Sequence, residues 1–180
     1  MKRVLSLSAV ILLLSFGCST EPEIVPQPRL KAYSSGSCSA GSFSVNFNNA
    51  TFVTGIGWST GSGRNVSFSG SCSGCDWGPG VYGWWRGPLV EYYVGKSGGS
   101  NRGTYSCNGS NYTLYVDRRV NQPSIDGTQS FDQYNSSGAR TGTIDMTCHF
   151  NAWRRLGSVG SQAYMVVMAE SWSRRSGSAN

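Results

Sequence analysis

Two glutamates stand where charged residues seldom do. Of the four in the chain, Glu21 and Glu23 lie in a proline-rich stretch near the N-terminus, whereas Glu91 sits in Pro-Leu-Val-Glu-Tyr-Tyr-Val and Glu170 in Tyr-Met-Val-Val-Met-Ala-Glu-Ser-Trp. Carboxylates inside apolar, aromatic strands need a cleft or a partner to account for them. A period of two aligns Leu89, Glu91 and Tyr93 on one face, and Tyr164, Val166, Met168, Glu170 and Trp172 on one face of the other strand. Two carboxylates facing each other across an aromatic-lined groove are what glycosidic bond cleavage requires: one attacks the anomeric carbon and the other protonates the leaving oxygen. The competing reading pairs each glutamate with a buried arginine, Arg86 or Arg119, as a structural ion pair.

Other chemistry-bearing residues point less far. The lone His149 has no nucleophile motif to join and reads as a structural residue at a helix start. Cys72-Ser-Gly-Cys75 lacks both the further ligands of a zinc site and the βαβ surroundings of a redox motif, so no metal or other cofactor is expected. Disulfides are the expected state of an exported chain, with an odd count after Cys18 (Cys38, Cys72, Cys75, Cys107, Cys148) and pairing left open.

The elements that must position the glutamates are strands. Glycine numbers 24 of 180 residues, aromatics reach 12%, and alternating segments recur between Gly-rich turns at 42–47, 65–69, 80–85, 89–94, 104–106, 112–116, 130–134 and 164–172. Many short strands with frequent turns predict an all-β sandwich or barrel-like jelly roll. The exception is 145–156, where Phe150, Trp153 and Leu156 recur every three residues before Gly157, predicting one short helix against a sheet. Trp84 shares parity with Tyr82 and is assigned to the cleft side.

Ahead of this domain, Met1–Gly17 has a basic start and a short apolar run, which reads as an export signal rather than a fold element. A small residue precedes Cys18, so two outcomes are open: a secreted protein cut nearby, or an outer-surface lipoprotein anchored by lipid through Cys18. Residues 18–30 read as a lipoprotein-like tether, leaving 31–180 as one domain, expected to be a monomer. Without Lys2 and Arg3 the net charge falls from +6 to +4, and the dispersed arginines argue against nucleic acid as a partner.

Val81-Tyr-Gly-Trp-Trp-Arg-Gly-Pro-Leu-Val-Glu-Tyr-Tyr-Val94 resembles the nucleophile strand of glycoside hydrolase family 11, the small jelly-roll xylanases. Arg119-Val-Asn-Gln-Pro-Ser-Ile-Asp-Gly127 resembles that family's thumb hairpin, His149-Phe-Asn-Ala-Trp153 its single helix, and Glu170 with Ser176-Gly-Ser-Ala179 its acid/base strand. Phe43–Phe47 and Gly55–Trp58 add a weaker match to its early strands. The resemblance implies a β-jelly roll of two packed, strongly curved antiparallel sheets with one short helix and a thumb hairpin. It implies retaining hydrolysis of internal β-1,4 linkages of xylan, with Glu91 as nucleophile and Glu170 as acid/base. It also implies substrate contacts from Tyr82, Tyr93, Arg119, Pro123, Phe131, Gln133 and Tyr164. Physically, a carboxylate near Arg119 and hydrogen-bonded by tyrosines stays ionised, whereas one among Met168, Trp172 and another negative charge is pushed upward and keeps its proton.

Some positions depart from the family. Thr51 matches a place beside the acid/base usually held by Asn or Asp. The N-terminal strands are reduced, the connection 95–103 is shorter than usual, residues 135–142 are compressed, and a final strand is lacking beyond Asn180, features that predict some loss of stability. Two rival functions stay open: a xylan-binding jelly roll without catalysis, and a β-glucanase of the related cellulase-like jelly rolls.

Overall fold

The structure, a computed structural model, describes residues 11–16 and 41–180. Eleven strands and one helix follow in order: β1 (Ile11–Phe16), β2 (Val45–Trp58), β3 (Asn65–Phe68), β4 (Cys72–Ser73), β5 (Trp77–Arg86), β6 (Val90–Val94), β7 (Ser100–Cys107), β8 (Ser110–Ser124), β9 (Gly127–Ser137), β10 (Gly142–Asp145), α1 (Met146–Leu156) and β11 (Ser161–Ala179). A nine-stranded curved sheet runs β1-β2-β11-β5-β6-β9-β8-β7, with β4 joined to the end of β11, and β3 pairs with β10 in a separate ribbon. Pairing is antiparallel except between β1 and β2 and between β6 and β9. This is the expected all-β jelly roll, although β4 and β10 are too short for alternation to reveal them.

Alternation sorts each central strand between two cores. Val81 and Trp85 of β5, Val90, Tyr92 and Val94 of β6, and Met165 and Val167 of β11 pack against the β3/β10 ribbon and α1. The intervening Tyr82 and Trp84, Tyr93, and Val166 and Met168 form a second cluster on the opposite face with Trp77 and Phe131. The face carrying the glutamates is thus made by the residues left over once the helix-side core has been filled.

The helix begins one residue later than the periodicity suggests, because Asp145 is its cap: the Asp145 carboxylate accepts the Cys148 amide at 3.0 Å. Its buried stripe is Met146, His149, Phe150 and Trp153. His149 is structural, as expected. Fully buried, it meets the Tyr105 hydroxyl at Nδ1 (2.7 Å), and burial holds its imidazole down at about 4, so it stays neutral. Disulfides join Cys72 to Cys75 and Cys107 to Cys148, the second tying the first turn of α1 to the end of β7, and no free cysteine occurs among the described residues.

In the full chain Ile11–Phe16 lies parallel to β2, from Ile11 opposite Phe52 to Phe16 opposite Gly57. An open sheet edge offers unpaired backbone groups that any extended segment can satisfy. Cys18, the tether 18–30 and Cys38 lie outside the described residues.

Candidate active site

Register brings the site together before any side chain is considered. Glu91 lies opposite Trp84 of β5 on one side and opposite Gln133 of β9 on the other, while Tyr82 pairs with both Tyr93 and Val166. Glu91 and Glu170 are each 7% exposed. At Glu91, Oε1 accepts hydrogen bonds from the hydroxyls of Tyr82 (2.8 Å) and Tyr93 (3.1 Å), and Oε2 accepts from Gln133 Nε2 (2.5 Å). Behind these donors stand others: Trp84 Nε1 donates to the Tyr82 hydroxyl at 2.6 Å, and Asn135 Nδ2 donates to Gln133 Oε1 at 3.2 Å. Burial first, and then the neighbouring carboxylates, raise the Tyr82 and Tyr93 phenols well above their ordinary value, so both remain donors.

The Tyr93 hydroxyl also reaches Glu170 Oε2 at 3.4 Å. A hydroxyl shared at these distances holds the two carboxylate oxygens no more than roughly 6.5 Å apart, compatible with the ~5–5.5 Å of nucleophile–acid pairs rather than a gap opened for a water. Glu170 is pushed up to about 7, chiefly by burial, with the Glu91 charge adding to the rise and Lys96 opposing it. Its Oε1 is buried and has no hydrogen-bond partner among the described residues.

Both carboxylates open onto a cleft of about 470 Å³. Tyr93, Arg119, Pro123, Phe131, Gln133, Trp172 and Lys96 line it. Tyr82 is buried beside Glu91, and the half-buried Tyr164 packs on it, ring centroids 6.0 Å apart. Trp84 shares the cleft face as parity demands, but it is only 2% exposed and packs against Phe131, with ring centroids 4.8 Å apart. The arginines offered as structural partners pair elsewhere: Arg86 grips Asp126 at the tip of the β8/β9 hairpin, and Arg119 binds Asp117 at 3.1 Å. The hairpin turns between Ser124 and Gly127, where the thumb resemblance places it. Val53 lies opposite Glu170, with Thr51 two residues along on the same face.

Three participants escaped the sequence reading. Asn135 could have been found by parity with Gln133. Asp76 and Lys96 could not, since both lie outside regular strand alternation. The Asp76 carboxylate, 4% exposed, accepts the backbone amides of Trp172 (2.6 Å) and Ser173 (2.7 Å), and its own amide donates to the Glu170 carbonyl at 3.0 Å. It thereby shapes the irregular stretch of β11 between Ser171 and Arg175 that follows Glu170. Burial works against its ionisation, but the bonds to Ser173 and Trp172 and the Arg175 charge outweigh it and hold the carboxyl below its usual value. Asp76→Ala is therefore expected to cost about 1 kcal/mol at neutral pH by removing the acceptor of two exposed amides. A group whose folded value is depressed stabilises above its unfolded value, roughly 4, and loses that contribution as the pH falls through the folded value. Urea unfolding of parent and variant should converge in acid; an equal gap at pH 7 and pH 3 would contradict this role.

A curved jelly roll with two buried carboxylates sharing one tyrosine hydroxyl, set in an aromatic cleft beneath a hairpin, is a glycosidase architecture. Residues 30–180 match the profile of Glycosyl hydrolases family 11. The chain is 42% identical over 146 residues to endo-1,4-beta-xylanase B of Talaromyces funiculosus, covering 74% of this chain and 52% of that one. It is 43% identical over 164 residues to endo-1,4-beta-xylanase 2 of Rhizopus oryzae, covering 83% and 74%. Among solved structures it superposes on one of the two major endo-1,4-beta-xylanases of Trichoderma reesei with a TM-score of 0.67 at 41% identity, over 76% of this chain and 83% of that one. The chain belongs to glycosyl hydrolase family 11. Its matched region spans from about half to three quarters of the length of these two curated relatives.

Proposed function

We propose that the protein hydrolyses internal β-1,4-xylosidic linkages of xylan with retention of configuration, Glu91 acting as nucleophile and Glu170 as acid/base. The observation that carries this reading is the Tyr93 hydroxyl set between the two carboxylates, 3.1 Å from one and 3.4 Å from the other. Glu170, raised to about 7, gives its proton to the glycosidic oxygen while Glu91 Oε2 or Oε1 forms a bond to the anomeric carbon and the leaving chain departs as an alcohol. Glycosylation removes the Glu91 charge, so Glu170 becomes the stronger acid, remains ionised, and takes a proton from the water that attacks the same carbon and frees Glu91. Tyr82, Tyr93 and Gln133 hold the nucleophile in place, and the cleft residues Arg119, Pro123, Phe131 and Gln133 position the sugar chain.

Xylan is favoured over cellulose by the Pro-Ser-Ile-Asp-Gly hairpin and by the activities for which the relatives are named. A binding module without catalysis would use stacking rings but has no use for a nucleophile held by three donors beside a protonated acid. Incubation with xylan and with carboxymethylcellulose, followed by a reducing-end assay, tests the substrate. Reducing ends from xylan are expected; release from carboxymethylcellulose alone would transfer the assignment to the β-glucanases. Proton NMR of the first product tests the stereochemistry, with an initial β-anomer expected and an initial α-anomer refuting retention. Export belongs to the same proposal, since a polymer of this size stays outside the cell. Lipid on Cys18 is its anchored form: a bacterial host fed radiolabelled palmitate should label the protein, and absence of label would leave ordinary secretion.

A further inference from the structure

Among the described residues, Lys96 is the one cation within ion-pair distance of the catalytic carboxylates. It directly follows Gly95, whose φ of 86° lies in the left-handed region that favours glycine, and there the alternation of β6 ends. The amides of Gly95 and Lys96 both donate to the Ser136 carbonyl (2.7 and 3.2 Å), and Trp77 Nε1 donates to the Gly95 carbonyl at 3.2 Å, so the main chain is held on three sides. From this anchored turn the side chain, 18% exposed, runs back over the cleft. Its ammonium sits 3.6 Å from the centre of the Tyr93 ring and 5.1 Å from that of Trp172, within the range in which a ring face attracts a cation. It lies 3.9 Å from Glu170 Oε1, the buried oxygen that accepts no hydrogen bond. At that separation the pair acts by charge rather than by a hydrogen bond.

We propose that Lys96 is a positioning residue that balances the charge of the carboxylate pair in both halves of the reaction and holds Glu170 as the base of the second half. The inference rests on the function proposed above. Before bond cleavage the cluster contains the Glu91 carboxylate, protonated Glu170 and the Lys96 ammonium, and its net charge is zero. After glycosyl transfer Glu91 is a neutral ester, Glu170 has given up its proton, and Lys96 again brings the sum to zero. The negative charge moves from one glutamate to the other while the cation stays in place. Without Lys96, Glu170 would have to become a buried, uncompensated anion before it could take a proton from water, which is the costly arrangement.

The other groups facing Glu170 do not offer this compensation. Tyr82 comes from β5, Glu91 and Tyr93 from β6, Asp76 from the turn before β5, and Tyr164 from β11 itself; each is neutral or negative. Asp117 and Arg119 of β8 act on Lys96 with opposite signs. Burial lowers the Lys96 ammonium below its ordinary value, while Glu170 and Glu91 work to keep it charged.

The pH profile of kcat/KM on xylan separates this role from packing. Lys96→Met keeps an apolar stem between the two rings and removes the charge, and its alkaline limb should move up by about one pH unit relative to the parent. Lys96→Arg keeps the charge, and its limb should stay with the parent. An alkaline limb in Lys96→Met that coincides with the parent or moves down would overturn the proposal, as would an equal shift in both variants. A reciprocal measurement leaves Lys96 itself unchanged. In Glu170→Gln, the Lys96 Cε resonance followed by carbon-13 NMR should titrate at lower pH than in the parent, because the carboxylate that favours the ammonium is gone; an unchanged midpoint would also overturn the proposal. The NMR readout needs no turnover, so a protein inactive on xylan would defeat the proposed function and still report on Lys96.

Discussion

Glu91→Gln is expected to leave a folded protein whose turnover of xylan is lower by at least about ten-thousand-fold. The amide keeps the volume of the carboxylate and one oxygen that can accept from Tyr82 and Tyr93, so the packing around it survives while the nucleophile is lost. Near-parent turnover in this variant would remove Glu91 from the chemistry. Shortening the side chain gives a sharper version of the test. In Glu91→Ala the space beneath the anomeric carbon, bounded by Tyr82, Tyr93 and Gln133, is open to a small anion. Azide entering there forms its bond to carbon as the leaving oxygen takes the proton of Glu170, and a single displacement inverts the centre. Activity on an aryl xyloside should return with azide, and the product should be the α-glycosyl azide. A rescued product of β configuration would mean that another residue supplies the nucleophile.

Loss of the acid is expected to act differently. In the parent, kcat/KM should fall as the pH rises through about 7, because the first step needs Glu170 protonated and its burial beside Glu91 places its titration there. Glu170→Gln should reduce xylan hydrolysis by about 10²–10⁴-fold. It should have much less effect on formation of the glycosyl-enzyme from an aryl xyloside whose nitrophenolate leaves without a proton. With that substrate the alkaline limb should vanish and a burst of nitrophenolate should precede slow turnover, since the base of the second step is missing as well. Persistence of the limb in Glu170→Gln would assign it to another group, and equal losses on xylan and on the aryl substrate would argue against an acid role.

Much of this architecture was legible in the chain. Period-two alternation placed Glu91 with Tyr93, and Glu170 with Val166 and Met168, on one face, and the structure has them there because a sheet with one side packed on a helix leaves no other register open. The helix was read from Phe150, Trp153 and Leu156, with an error of one residue at a cap whose geometry depends on a single hydrogen bond. The resemblance located the hairpin correctly. Parity alone, however, says which face a residue joins and not how deep it lies. Trp84 has the parity of a cleft residue, yet Phe131 arriving from β9 covers it, and its indole proton supports Tyr82 instead.

What only the tertiary structure decided are the contacts made between segments distant in sequence and at points where regular strand geometry stops. The identity of the donors on Glu91 follows from the parallel pairing of β6 with β9, which sets Gln133 beside it across 42 residues of chain. Asp76 meets the amides that follow Glu170 from nearly a hundred residues away, outside any strand. Lys96 falls out of the pattern for a local reason. Continued alternation would have sent it to the helix-side core with Tyr92 and Val94, but Gly95 breaks the strand with a positive φ and turns the chain so that the ammonium reaches Tyr93 and Glu170. Strand periodicity is a property of neighbours along the chain and can be read from residue types; the electrostatic balance of two buried carboxylates is a sum over distances in space, to which an irregular turn contributes as much as a strand.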